Sequence, residues 1–446
     1  MTKMKHFDLI GIGIGPFNLG LAALLSSHNE LTSLFLERKA DFRWHQGLLL
    51  PDTTLQVPFL ADLVTMIAPT HPLSYLNYLY EHDRLYKFYY YEKFQIPRLE
   101  YDHYCRWASK KLSACQFGED VIGVTYEQAA DRFVVESRSH GGASHQYACQ
   151  NLAIGIGTSP FMPEWAKVQT TAPVLHSAEF INHRQQLAAC RRVTVIGSGQ
   201  SAAECVLALY QALTPEMITA GASIQWLTRS PGFHPMESSK LGQECFTPAY
   251  MSHFHTLSRE KRRQIVAGQG GLYKGISAST IAKIFDALYE GSIGGADPGL
   301  SLLPNCEVEQ LTRIAESDAL RVTFRHRHLD QTGYIETDAI VVATGYQHTC
   351  PEWFEGLKRT VLVTDEQGDC GVNGDFIAQR RDAGKGHIFV QNAEIFQHGI
   401  GSPDLGLGAY RNGAIANRLL GREQYRLPQQ SSFQSFGLPE HCQAGR

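Results

Sequence analysis

The chain lacks three features, any one of which would have fixed its class at once. It has no C-x-x-C pair: its ten cysteines, at 105, 115, 149, 190, 205, 245, 306, 350, 370 and 442, are scattered, and none is spaced with a histidine as a ligand pair. A disulfide framework, a metal site and a dithiol redox centre are all disfavoured, and free thiols suit a reducing compartment. There is no apolar run of membrane-spanning length. Met1–His6 is too short, and too soon followed by glycines, to be a secretory signal, so the expected location is cytoplasmic. Positive charge is not in excess either. Lys plus Arg number 40 against 44 Asp plus Glu, a net of −4, so nucleic acid is not an expected partner.

What is present is material for a core. At 446 residues, with 43% hydrophobic and 19% charged, the chain is long enough for two or three folded units. The strongest local signal is a glycine-rich turn that occurs twice. Phe7–Gly11 reads as a buried strand, Gly11, Gly13 and Gly15 alternate before Pro16, and Asn18–Leu25 reads as a helix. A second strand, Ser33–Leu36, ends in Glu37. A pyrophosphate must approach bare backbone N–H groups at a helix start, which is why glycines occupy such a turn. The spacing here is Gly13-x-Gly15-x-x-Asn18, with asparagine in place of the third glycine. Glu37 stands where an acid accepts hydrogen bonds from a ribose diol, which favours FAD or NAD.

The pattern returns at Arg192–Ile196, Gly197-Ser198-Gly199-Gln200-Ser201 and the helical run Glu204–Leu213. Here the next strand, Ser223–Thr228, ends at Arg229 rather than at an acid. An arginine there suits a 2′-phosphate and hence NADP, although one arginine also reads as a solvated surface residue. Two nested dinucleotide sites most simply mean a flavoprotein reduced by NADPH. The expected fold is α/β, with two Rossmann-like dinucleotide-binding domains, for FAD and NADPH, and a small mixed or helical substrate region. The expected boundaries are 1–170 and 336–425 for the FAD domain, 171–235 and 274–335 for the inserted NADPH domain, 236–273 for the substrate region and 426–446 for a polar tail.

Between these landmarks, helices are expected at Tyr75–Tyr80, Tyr101–Leu112 and Ala409–Leu420. Strands are expected at Val121–Tyr126, Arg132–Ser137, Ala339–Ala343 and His387–Val390. The irregular stretch 41–72 is rich in Trp, His and Gln, and a segment of that length inside a compact domain is usually functional.

Several stretches together carry a family likeness: Gly11-Ile-Gly-Ile-Gly15-Pro16-Phe-Asn18, Trp44-His45, Gln56-Val-Pro-Phe59-Leu-Ala61-Asp62, Pro97-Arg98-Leu-Glu100-Tyr, His176-Ser177, Gly199-Gln-Ser201-Ala, Ala343-Thr-Gly-Tyr346 and His398-Gly399. From about residue 6 to about 421 the chain resembles the flavin N-monooxygenases of siderophore biosynthesis, the lysine and ornithine N-hydroxylases, and it is most similar to their diamine-hydroxylating members. The resemblance implies FAD and NADPH as cofactors, molecular oxygen as cosubstrate, and a homo-oligomer, a tetramer or a dimer. It implies flavin-side roles for Glu37, Trp44, His45 and Gln56 and for the backbone at Pro403 and Leu405. On the NADPH side it implies roles for Ser198, Gly199, Gln200, Ser201 and Arg229. The flavin carries the oxidation, so no side chain is expected to act as nucleophile or general base, and no metal is expected.

One departure bears on the substrate. Amino-acid hydroxylases of the family usually carry, five residues after the glutamine matching Gln56, a lysine that binds the substrate carboxylate. Here that position is Ala61. Ornithine members often have asparagine at the position of Gln243 and serine at that of Gly406. A buried carboxylate without a partner is costly, so a substrate without one is expected: an aliphatic diamine, putrescine or cadaverine. Its far ammonium needs a counter-ion, for which Asp404 and Glu244 are the candidates. The alternatives are lysine or ornithine, with Lys240 replacing the missing cation, and a non-enzymatic FAD-binding redox protein.

Overall fold

The structure is a computed structural model that describes residues 4–315 and 317–438. Cys442, residues 439–446 of the expected tail and residues 1–3 of the Met1–His6 segment lie outside the described residues.

Two parallel-centred sheets organise the chain. In the first, the strand order is Cys115–Phe117, Ser33–Glu37, Lys5–Ile12, Ser144–Ile154, Arg132–Ser139 and Glu119–Glu127, and Ile388–Val390 also pairs with Ser144–Ile154. Lys5–Ile12 is parallel to both its neighbours, with Gly11 opposite Phe35 and Ala153. Its inner half is wholly buried, as the run Leu-Ile-Gly-Ile requires of a strand covered on both faces. The helix Pro16–Leu25 follows, with Pro16 at its first position, where a missing N–H costs nothing.

The second sheet is entirely parallel, in the order Leu300–Leu303, Ser223–Leu227, Arg192–Ile196, Ala339–Val342 and Val174–His176. Its second glycine turn leads into the helix Gln200–Tyr210. Ala339–Val342 pairs with Arg192–Ile196, so a boundary at 335/336 would separate this sheet from one of its own inner strands.

Several elements were not legible in the sequence, two of them central to the architecture. Ser144–Ile154 is an eleven-residue strand whose polar residues conceal it. One part of it pairs with the antiparallel meander and another with Ile388–Val390. At the crossover Asn151 satisfies both neighbours, donating to the Asp8 carbonyl at 2.9 Å and accepting from the His387 N–H at 2.8 Å. The second is a three-stranded antiparallel sheet, Cys306–Arg313, Leu320–His326 and Gln331–Thr337, which packs against the second parallel sheet. The stretch 236–273 is helical from Pro248 onward, with helices Pro248–Thr256 and Arg259–Gly268. No helix among the described residues is long and apolar enough to cross a membrane.

Candidate functional site

The first glycine turn is shaped by necessity at one glycine and by vacancy at another. Gly13 has φ +85°, and a Cβ there would lie 2.4 Å from the Gly155 carbonyl oxygen. At Gly15 a Cβ would meet nothing within 4 Å, so the space in front of the helix start is open to a ligand. Glu37 sits beside this turn: one carboxylate oxygen accepts from the Ile14 N–H at 2.8 Å and the other from the Lys39 N–H at 3.0 Å. Asn18, the departure from a third glycine, is buried and works as a brace. Its amide donates to the carbonyls of Gly13 (2.8 Å) and Ala153 (3.2 Å), fastening the turn to the adjacent strand. These residues fit a dinucleotide pyrophosphate at the helix start and a ribose at Glu37.

The second turn repeats the logic. Gly197 has φ +143°, and a Cβ there would meet the Ala343 carbonyl oxygen at 2.2 Å, whereas Gly199 faces open space. Arg229 is exposed and has no ion-pair partner among the described residues, and beside it the Ser198 and Ser230 hydroxyls lie 3.1 Å apart. A cationic group left free at a strand end next to two hydroxyls fits a 2′-phosphate. Gln200 is held more firmly than Ser201: it donates to Glu204 (2.7 Å) and Thr280 (3.1 Å) and accepts from the Ser277 N–H (2.7 Å).

A cleft of about 600 Å³ brings Gln56 of the first unit to the same space as Gln200, which opens the helix after the second glycine turn. At the flavin side, Trp44 and His45 stack edge to face at 4.6 Å between centroids, and Trp44 meets Tyr101 at 5.1 Å. The Trp44 backbone is fixed by Asp102, which accepts its N–H at 2.8 Å. His45 adopts a left-handed backbone (φ 46°), a strained conformation of the kind that clusters at functional sites. Protein groups packed around one side of the ring, with help from Arg98 and Lys39, push its pKa down to about 4, while the residue keeps an exposed side.

Two features here escaped the sequence reading. The Tyr346 ring lies between His45 (5.7 Å) and His176 (5.3 Å). His176 accepts from the Ala178 N–H at Nδ1, which leaves Nε2 to donate to the Gly345 carbonyl at 2.9 Å. Arg98 donates to Glu204 at 2.7 Å in an almost fully buried pair and also to the Thr54 carbonyl at 3.2 Å, so it ties the loop that carries Gln56 to the helix of the second turn. The only advance sign was Arg98 within a family motif; its partner lies 106 residues away.

The expected substrate residues divide. Ala61, Asp404 and Gly406 converge: a Cβ on Gly406 would lie 2.8 Å from the Asp404 carboxylate and 4.0 Å from the Ala61 methyl. Asp62 anchors the turn that presents Ala61, since its carboxylate accepts from the Val64, Thr65 and Tyr75 N–H groups and the Thr65 hydroxyl. Asp404 caps a short turn through the Gly406 N–H (2.7 Å), and its second oxygen has no partner among the described residues. Burial raises its carboxyl to about 6, against the opposing pull of that N–H and of Arg411. Arg411 is itself committed to buried Glu394 at 3.1 Å.

Glu244 does not behave as expected. Its carboxylate accepts from the Phe433 N–H (2.9 Å), the Gln434 N–H (2.9 Å) and the Gln434 side chain (3.0 Å), so it is engaged by the chain itself and is not a free counter-ion. Gln243 likewise turns to the Glu237 carbonyl at 2.9 Å. Pro403 is exposed and Leu405 packs against the first core. His398 is buried against Phe376 (4.6 Å) and stacked on His255 (5.0 Å).

Known proteins resemble the chain over nearly its whole length. The family described as L-lysine 6-monooxygenase/L-ornithine 5-monooxygenase matches residues 5–348. The chain is 65% identical to the rhizobactin siderophore biosynthesis protein RhbE of Rhizobium meliloti, over 98% of this chain and 96% of the relative. It is 40% identical to the putrescine N-hydroxylase of Shewanella oneidensis, over 96% of this chain and 84% of the relative. Among solved structures, the FAD-bound cadaverine monooxygenase DfoA of the desferrioxamine pathway of Erwinia amylovora superposes with a TM-score of 0.90 at 35% identity, covering 98% of this chain and 99% of that one.

Proposed function

The chain belongs to the L-lysine 6-monooxygenase/L-ornithine 5-monooxygenase family, the FAD- and NADPH-dependent N-monooxygenases of siderophore biosynthesis, and from that premise we propose that its substrate is a primary aliphatic diamine, putrescine or cadaverine, N-hydroxylated early in the assembly of a hydroxamate siderophore. The observation that carries this reading is the trio Ala61, Asp404 and Gly406. Where amino-acid hydroxylases of the family usually hold a carboxylate with lysine, this chain has a methyl group, and across Gly406 from it stands the Asp404 carboxylate with one oxygen free among the described residues. An amino acid would bring like charge to like. A diamine brings an ammonium, which favours the ionised form of Asp404. The two diamine-acting relatives support the same choice.

The protein residues have distinct tasks. The glycine turns would hold the two pyrophosphates, Glu37 a ribose diol and Arg229 a 2′-phosphate. Bound flavin, reduced by NADPH, supplies the oxygen-activating chemistry. Gln56 and Gln200 border the cleft in which the cofactors would meet, and the rings of Trp44, His45 and Tyr346 pack edge to face on the flavin side. The reacting nitrogen needs its lone pair, whereas an alkylamine in water has a pKa of about 10.4. The anionic Asp404 serves the far end of the diamine.

The test is product analysis by mass spectrometry after incubation with NADPH, oxygen and an equimolar mixture of putrescine, cadaverine, lysine and ornithine. A mono-hydroxylated diamine is expected. Hydroxylated lysine or ornithine with both diamines untouched would refute the assignment.

A further inference from the structure

The segment 431–436 was expected to be a peripheral part of a polar tail, yet it is bound at three points to the helical substrate region. Glu244 receives the consecutive N–H groups of Phe433 and Gln434, one on each carboxylate oxygen, and the Gln434 side chain also reaches the Leu241 carbonyl at 2.7 Å. Ser431 accepts the N–H of Ala249 at 2.9 Å, satisfying one of the orphan donors at the start of the helix Pro248–Thr256. Phe436 packs edge-on against Tyr250 at 4.9 Å and joins the small core of Tyr250, Phe254 and Val266.

That core has another side. Ile395 and Phe396 pack into it, and the helix Pro248–Thr256 presses on the chain just before Asp404. Gly399 has φ +80°, and a Cβ there would come within 3.3 Å of the Phe254 ring, a close approach between the helix and this loop. His255 approaches the Gln397 carbonyl at 3.2 Å and stacks on His398. The Asp404 N–H then bonds to the Gly401 carbonyl at 3.0 Å. A continuous packed path thus leads from residues 431–436, through one helix, to the loop that presents Asp404.

We infer that residues 431–436 are a strap that sets the position of the Asp404 loop, and that Glu244, Ser431 and Phe436 are positioning residues for amine binding and for coupling of NADPH oxidation to hydroxylation. The inference rests on the N-hydroxylase reading of the site but not on which amine is used. The mechanism is geometric. None of the three need touch substrate or cofactor, but a small displacement of a positioning group is felt strongly in an oriented reaction.

The test compares Glu244→Gln, Ser431→Ala and Phe436→Ala in the full-length holoenzyme, using whichever amine the unaltered chain hydroxylates fastest. FAD content and NADPH oxidation without amine are expected to stay unchanged. The KM for the amine should rise, and the ratio of hydroxylamine to NADPH consumed should fall with matching release of hydrogen peroxide, each by up to ~10-fold as expected of a small misplacement. Combining Glu244→Gln with Phe436→Ala should add little to either change alone, because both release the same strap. If Glu244→Gln alone shifts KM while the other two do not, Glu244 is a direct substrate contact and the strap is refuted. The strap is also refuted if the variants lose FAD or thermal stability while the remaining holoenzyme keeps its coupling ratio, or if nothing changes. Failure of the underlying reading would show separately, as an unaltered chain that no amine stimulates.

Discussion

Replacing Asp404 with asparagine tests the substrate assignment at its weakest point. Asparagine keeps an oxygen for the Gly406 N–H, so the turn should survive while the charge is lost. An ammonium about 4 Å from a carboxylate gains roughly 4 kcal/mol at an effective dielectric of about 20. Desolvation takes back part of it, and hydrogen bonds to charged groups typically leave about 1.5–3 kcal/mol net. A loss of about 2–3 kcal/mol corresponds to a fall of about 30- to 150-fold in kcat/KM for the diamine. The control is a monoamine of matching length, which has no far ammonium to lose and should change little. Steady-state hydroxylamine formation measures both. The same carboxyl gives a pH signature: raised to about 6, it takes up a proton as pH falls through that value and stops attracting the ammonium. The diamine KM should therefore climb below about pH 6, and the inflection should vanish in Asp404→Asn. The stability sign is opposite. The folded chain holds this proton more tightly than the unfolded chain, whose value is near the ordinary 3.8, so the contribution of Asp404 to stability improves as pH falls from about 6 towards 3.8. Equal losses for diamine and monoamine, or an unchanged diamine rate, would refute the counter-ion.

Two further substitutions probe the cofactor sites. Gly13→Ala forces a left-handed backbone onto alanine and drives its methyl into the Gly155 carbonyl, so the protein should purify without bound flavin, seen as loss of absorbance near the flavin bands. Arg229→Ala removes a charge that has no structural partner among the described residues, so stability should hold. The KM for NADPH should rise by about 10- to 100-fold, a range set by the loss of a charged hydrogen bond, while NADH kinetics stay level.

Local chemistry made the two nucleotide units readable in advance. Glycines at fixed spacing, a buried strand before them, a helix after them and the residue ending the next strand all lie within about thirty residues, the length of one βαβ unit. Gly13, Gly197, Glu37 and Arg229 could therefore be placed without a structure, and Ala61 stood out as the position where an expected cation is missing. The strand Ser144–Ile154 was hidden because Lys5–Ile12 and Ile388–Val390, both far away in sequence, pair with it in addition to its hairpin neighbour Arg132–Ser139, so polar residues such as Asn151 are tolerated and no alternation is needed. The two candidate carboxylates could not be ranked from sequence for a related reason. Asp404 and Glu244 are the same kind of group, and only folding shows that Glu244 is tied to Phe433 and Gln434 while Asp404 keeps an oxygen free beside Ala61. The sequence by itself determined the nucleotide turns, because their demands are steric and local. Tertiary structure alone decided the Arg98–Glu204 tie, the aromatic contacts around Tyr346 and the fate of each carboxylate, because a buried charge takes its meaning from whatever the rest of the chain brings within hydrogen-bonding reach.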